Sequence, residues 1–216
     1  MALTSRQKLL DRNANTRDAK IFIIATEGAE TEKKYFETFN TTRPFERSRV
    51  RVQILPPQQD RSAPQHTLKQ LESYLQTQDL DSRDEVWLVL DVDTWPEHTL
   101  AKVCATAKRK GFDVAVSHPC FEVWYCLHFA ECDYETLSQH AQGRDGAQKL
   151  KRLWRGYLPP SATKTELAIL RPKTPDACRR ARDIDKGDID AARPWPPSPG
   201  TRIYQLVESI LKMLED

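Results

Sequence analysis

Five apolar residues, Val86-Trp87-Leu88-Val89-Leu90, run without a break into Asp91-Val92-Asp93. A strand with one wet face alternates apolar and polar positions. This run does not alternate, so it predicts a strand buried on both faces. Such strands occur in parallel sheets covered by helices above and below, and ligands of those sheets bind just beyond the carboxyl ends of the strands. Asp91 and Asp93 stand at that end. Residues two apart on a strand project to the same side, about 7 Å apart along the chain. Two carboxylates so placed suit a hard cation. Acidic residues at strand ends also form turns and cap helices, and Asp-x-Asp alone is compatible with either use.

A second continuous apolar run covers residues 21–26 and ends in Glu27-Gly28. Gly28 permits a sharp turn, and Glu30-Thr31-Glu32 then opens a helix whose apolar members include Tyr35, Phe36 and Phe39. Two central strands would thus each end in acid at one edge of one sheet. Glu27, Asp91 and Asp93 together would make an oxygen-rich site suited to Mg²⁺ or Mn²⁺.

The remaining pattern extends the same architecture. Val50-Arg51-Val52-Gln53-Ile54-Leu55 reads as a strand nearer an edge, stopped by Pro56-Pro57, and residues 112–117 read as a fourth strand. Helical spacing places Leu68, Leu71 and Leu75 on one helix and Leu100, Val103, Cys104 and Ala107 on another, with Gly111 as its stop. An apolar helix from Phe121 to Phe129 carries Glu122. Strand and helix alternate throughout, so the fold expected is α/β: a four-stranded, mostly parallel sheet with helices on both faces. Residues 1–20 form a basic arm and 21–130 the core. Residues 131–216 form a helical region packed on that core. This last region holds a run rich in Lys and Arg, Lys149-Leu150-Lys151-Arg152-Leu153-Trp154-Arg155, and a helix with Arg179, Arg180 and Arg182 begun by Thr174-Pro175. Its last helix bears a stripe of Ile203, Leu206, Val207, Ile210, Leu211 and Leu214, suited to docking on the core or to a homodimer seam.

Composition narrows the function classes. With 33 basic and 31 acidic residues the net charge is +2, too balanced to indicate nucleic acid, so any basic surface must be local. The basic arm at residues 1–20 reads as a solvated segment or as a contact for phosphates or a partner. No P-loop occurs and glycine is scarce, seven in all, which disfavours a glycine cradle for nucleotide phosphates. Five cysteines without a CxxC pair suggest reduced thiols. Zinc held by Cys120, Cys126 and Cys132 with His118 and His128 is disfavoured, because a six-residue spacing does not return to one helix face. Without an apolar segment of the ~20 residues that span a bilayer, or a signal-peptide core, a cytoplasmic protein is expected.

Four more residues fall near the acidic edge. Glu122, in a first helical turn, either complements the helix dipole or adds a fourth acid that orients a metal or water. Ser117 and His118 end the fourth strand, and His118 could protonate a leaving oxygen, bind phosphate or be structural. Lys33 could face phosphate, although a solvated lysine is the commoner case.

Glu27 to Phe36, Asp91-Val92-Asp93, Ser117 to Trp124, and Pro196 to Val207 together resemble the RloB-like family over nearly the whole chain. That resemblance implies a TOPRIM-like fold, in which a strand-end Glu and a later Asp-x-Asp bind Mg²⁺ and act on phosphodiesters. It implies a metal-dependent nuclease of prokaryotic anti-phage defence, encoded near restriction and abortive-infection loci. The substrate would be DNA or RNA, with an AAA- or ABC-type ATPase as partner. Glu27, Asp91, Asp93 and Glu122 would be catalytic and Lys33, Ser117 and His118 would touch substrate. His118 stands where the family commonly has Asn. The other readings are a non-catalytic TOPRIM-like binding subunit and a phosphotransfer or primase-like activity, since one acidic geometry serves several phosphoryl chemistries.

Overall fold

A computed structural model describes residues 19–40, 50–57, 63–92, 95–157, 169–185 and 194–215. Nearly all of the basic arm lies outside the described residues, and so does Asp93. In chain order the elements are β1 (Lys20–Thr26), α1 (Thr31–Glu37), β2 (Val50–Leu55), α2 (Pro64–Leu75), β3 (Glu85–Asp91), α3 (Glu97–Arg109), β4 (Asp113–His118) and α4 (Glu122–Cys126). Then come α5 (Tyr134–Ala141), α6 (Gly146–Gly156), a single 3₁₀ turn at Arg171–Lys173, α7 (Thr174–Asp185), β5 (Gly200–Thr201) and α8 (Ile203–Glu215).

The strands form one sheet in the order β2-β1-β3-β4-β5. The first four are the four apolar runs, and all their pairings are parallel. β2, whose sequence alternates at its start, lies at the edge. The unbroken runs of β1 and β3 are explained by burial on both faces. Phe22, Ile24, Trp87 and Val89 enter one apolar core, with α1, α4 and α8, and Ile23, Ala25, Leu88 and Leu90 enter the other, under α2 and α3. After α3, Gly111 adopts φ +80° and the amide of Phe112 donates to Ala107 O at 3.0 Å, the left-handed stop that glycine allows without a Cβ penalty.

A fifth strand is an addition to the four expected. Thr201 and Gly200 pair antiparallel with Ser117 and His118. Two residues after a proline-rich loop carry no periodicity, so no apolar run announces them. A Cβ on Gly200 would meet Pro197 O at 2.6 Å, so the close passage of that loop requires glycine. Behind this strand a buried ion pair fastens the C-terminal segment. Arg202 donates from Nε and Nη2 to Asp185 at 3.1–3.2 Å, and Tyr204 donates its hydroxyl hydrogen to Asp185 Oδ2 at 3.0 Å. Ile203, Leu206, Val207 and Ile210 are fully buried in the first core, so the apolar stripe of α8 docks within the chain. No helix among the described residues is long and apolar enough to cross a membrane.

Candidate active site

Parallel pairing of β1 with β3 brings their carboxyl ends side by side. The ladder runs one residue past β1, where the Glu27 amide donates to Val89 O at 3.2 Å. The Glu27 carboxylate then turns across to β3: Oε2 accepts from the Asp91 amide at 3.3 Å, and Oε1 accepts from Trp95 Nε1. Asp91 Oδ1 is buried at this strand end. Glu27 and Asp91 thus occupy one edge, as the two runs ending in acid imply.

The turn after Glu27 brings in a further carboxylate. Thr26 Oγ1 donates to Gly28 O at 2.8 Å, and the Gly28 amide donates to Glu32 Oε1 at 3.1 Å. A Cβ on Gly28 would collide with the Glu32 carboxylate, so glycine is what lets this side chain fold back over the turn. Glu32 is 4% exposed, and so is Glu122 at the start of α4. Burial lifts the Glu32 carboxyl to about 6, and the negative charge of Glu122 adds to the rise against opposing backbone hydrogen bonds and Lys151. Cys120 lies between the two halves of the edge. Burial raises its thiol far above the ordinary range, and the charges of Glu122 and Asp91 raise it further, which disfavours the thiolate.

A cation stands beside Glu122. Lys151 Nζ on α6 stands 3.8 Å from Glu122 Oε1. α6 is held there by Trp154, whose ring stacks on Tyr125 at 4.4 Å, while the Tyr125 hydroxyl donates to Thr31 O at 2.9 Å. The first turn of α1, the start of α4 and the middle of α6 therefore meet beside the acidic edge.

Other candidates sit differently. Ser117 is fully buried, its hydroxyl 2.9 Å from that of Thr201, so it fastens β5 to β4 and has no surface for a substrate. His118 Nδ1 lies 3.2 Å from Pro196 O, against the proline-rich loop. Lys33 points along its own helix, 3.9 Å from Glu37. Among the described residues no three His, Cys, Asp or Glu side chains stand close enough to hold a metal ion together.

Sequence reading passed over Glu32, Lys151 and Trp95. For Glu32 a signal existed: a glycine turn straight after a strand-end acid returns the first turn of the next helix over that acid. Lys151 had no local signal beyond its basic neighbours, because its proximity to Glu122 arises only from the docking of α6.

The fold and this edge define a class: an α/β protein whose mostly parallel sheet, covered on both faces, presents acidic side chains and, among the described residues, a lysine beyond its strand ends. A family model described as RloB-like protein matches residues 22–210, and the chain belongs to that family. No curated protein and no solved structure matches it.

Proposed function

We propose that this chain is a metal-dependent nuclease of the TOPRIM type, hydrolysing phosphodiesters of DNA or RNA in prokaryotic anti-phage defence beside an AAA- or ABC-type ATPase. One observation carries the reading: Glu27 and Asp91 meet across adjacent strand ends, and Glu32 and Glu122 are buried in the first turns of α1 and α4. Their donors are hard oxygens, the kind that suits Mg²⁺ or Mn²⁺, and Glu27, Asp91 and Asp93 would hold the cation. Such an ion, when bound, neutralises phosphate charge and lowers the pKa of an attacking water. The protein's own groups divide the remaining work. Glu32, held near 6, suits a proton acceptor working at neutral pH. Lys151 offers its ammonium group to a phosphate oxygen, and Glu122 orients that lysine.

A second reading, a non-catalytic subunit that binds nucleic acid or the ATPase, has one observation in its favour. Both Glu27 oxygens already accept hydrogen bonds from the protein, so a cation would share this carboxylate with the Asp91 amide and Trp95 Nε1. Cleavage of DNA and RNA by the full chain, with and without the ATPase, in Mg²⁺, Mn²⁺ or EDTA separates the two. Metal-dependent cleavage abolished by Glu27→Gln and by Asp91→Asn supports the nuclease. Unaltered cleavage by both variants assigns the activity elsewhere and leaves this chain as the binding subunit.

A further inference from the structure

The basic charge that the whole chain lacks is concentrated on α6. Between residues 144 and 155 there are five basic side chains and one acidic one, in a protein of net charge +2. Leu150 of this helix is buried in the core, while Lys151, Arg152 and Arg155 are exposed. Between α5 and α6 lies a shallow cavity, broadly open to solvent, of about 550 Å³, lined by Gln139, His140, Lys149, Arg152 and Leu153. His140 Nδ1 donates to Thr136 O at 2.8 Å, which fixes the ring beside the cavity. Lys149 borders the same cavity, with Asp145 at 2.9 Å and Gln142 O at 3.3 Å. The lining offers cations, an amide and one apolar side chain.

We infer that the α5–α6 cavity and the exposed basic residues of α6 form a track for the phosphate backbone of a nucleic-acid strand leading to the acidic edge. The inference rests on the nuclease reading and deepens it. Its geometric basis is that one rigid helix carries both ends of the path: Lys149 and Arg152 at the cavity, and Lys151 beside Glu122. At 3.6 residues per turn Lys149 and Lys151 lie on opposite flanks of α6, with Arg152 and Arg155 on the exposed face between them, so the strand would cross the helix, about 10 Å wide, from the cavity to the acidic edge. Contacts of this type position a strand without reading its sequence. Leu153 supplies an apolar wall for a sugar or base.

The test is binding of labelled single-stranded and duplex 20-mers of DNA and RNA to the full-length protein in EDTA, over a salt series. Lys149→Gln/Arg152→Gln should weaken binding and flatten the slope of log affinity against log salt by about two. Lys102→Gln/Lys108→Gln removes equal charge from exposed sites on α3, over the opposite face of the sheet, and should leave the slope unchanged. Circular dichroism and thermal melting confirm that both variants are folded. No binding by wild type, an unchanged slope in the α6 variant, or an equal change in the α3 variant overturns the track. Hydrolysis of bis(4-nitrophenyl) phosphate, too small to need a track, tests the acidic edge separately. Hydrolysis of the diester with no α6 effect on binding sinks the track alone. An α6 effect without any hydrolysis sinks the nuclease alone.

Discussion

Glu32 and His128 titrate in overlapping windows with opposite consequences for stability. Burial lowers His128 from 6.5 to about 4, with the charges of Arg180 and Lys173 adding and its backbone hydrogen bonds opposing. The unfolded chain therefore binds more protons than the folded one between pH 4 and 6.5. Stability from the neutral imidazole is complete above 6.5 and lost as pH falls through that window, by about 3 kcal/mol in all. Glu32 is raised from 4.5 to about 6, so the folded chain binds the extra proton, and stability is lost as pH rises between those values, by about 2 kcal/mol. In EDTA, Glu32→Gln should steepen the acid loss seen by thermal melting between pH 4.5 and 6, and His128→Gln should remove most of it. Parallel curves for wild type and both variants would refute the assignment. Gly28→Ala tests the turn differently. The atoms nearest the new Cβ are the carboxyl end of Glu32, which must leave its buried place on the Gly28 amide, so stability should fall by about 1–3 kcal/mol. The carboxylate loses its place on the Gly28 amide, and any activity of the edge should fall by about tenfold or more, as when a supporting hydrogen bond is lost. A loss of stability beyond that range would show the turn to be rigid.

β5 and α8 depend on contacts far apart in sequence. The Asp185 carboxylate, 1% exposed, collects Arg202 and Tyr204. Removing one partner of a buried pair leaves the other charged and dry, at a cost of about 3–5 kcal/mol. Asp185→Ala should therefore destabilise the protein by about that amount in urea melts, and the double variant Asp185→Ala/Arg202→Met should recover much of it. Equal losses in the single and double variants would mean that packing, not charge, holds the segment. The same docking places Thr201 against Ser117, so a loosened β5 uncovers the end of β4 beside the acidic edge.

Across the protein, the acidic residues should behave as one unit in phosphodiester cleavage. If Glu27, Asp91 and Asp93 share one cation, losing any of them removes the same ion and the losses do not add. Glu27→Gln should abolish cleavage as fully as Asp91→Asn, and the triple variant should be no worse. Glu122→Gln should cost about 10–100-fold, because Glu122 works through Lys151. Additive losses across the triple variant would rule out a shared ion. The Asp91→Asn/Asp93→Asn protein should be at least as stable as wild type in EDTA, since like charges are removed where no cation offsets them. A lower melting temperature would make those residues structural.

Four strands and their order of appearance were legible in the chain, because a strand buried on both faces must be apolar at every position, and that requirement is local. The acid ending of β1 and of β3 was legible for the same reason: the apolar run stops where the sheet stops. The left-handed residue Gly111 could also be read, since only the backbone at that point demands it. The fifth strand could not, because Gly200 and Thr201 are a strand only by virtue of β4 beside them. The glycine turn signals the return of Glu32 onto Gly28, but the burial of Glu32 and the arrival of Lys151 at Glu122 could not be read, because they are set by how α1, α4 and α6 dock. Ser117 makes the same point: its position at a strand end was readable, but its burial under Thr201 was decided by the docking of a segment more than eighty residues away in sequence. Periodicity records which face of an element is buried; which charged group meets which depends on the packing of elements distant in the chain.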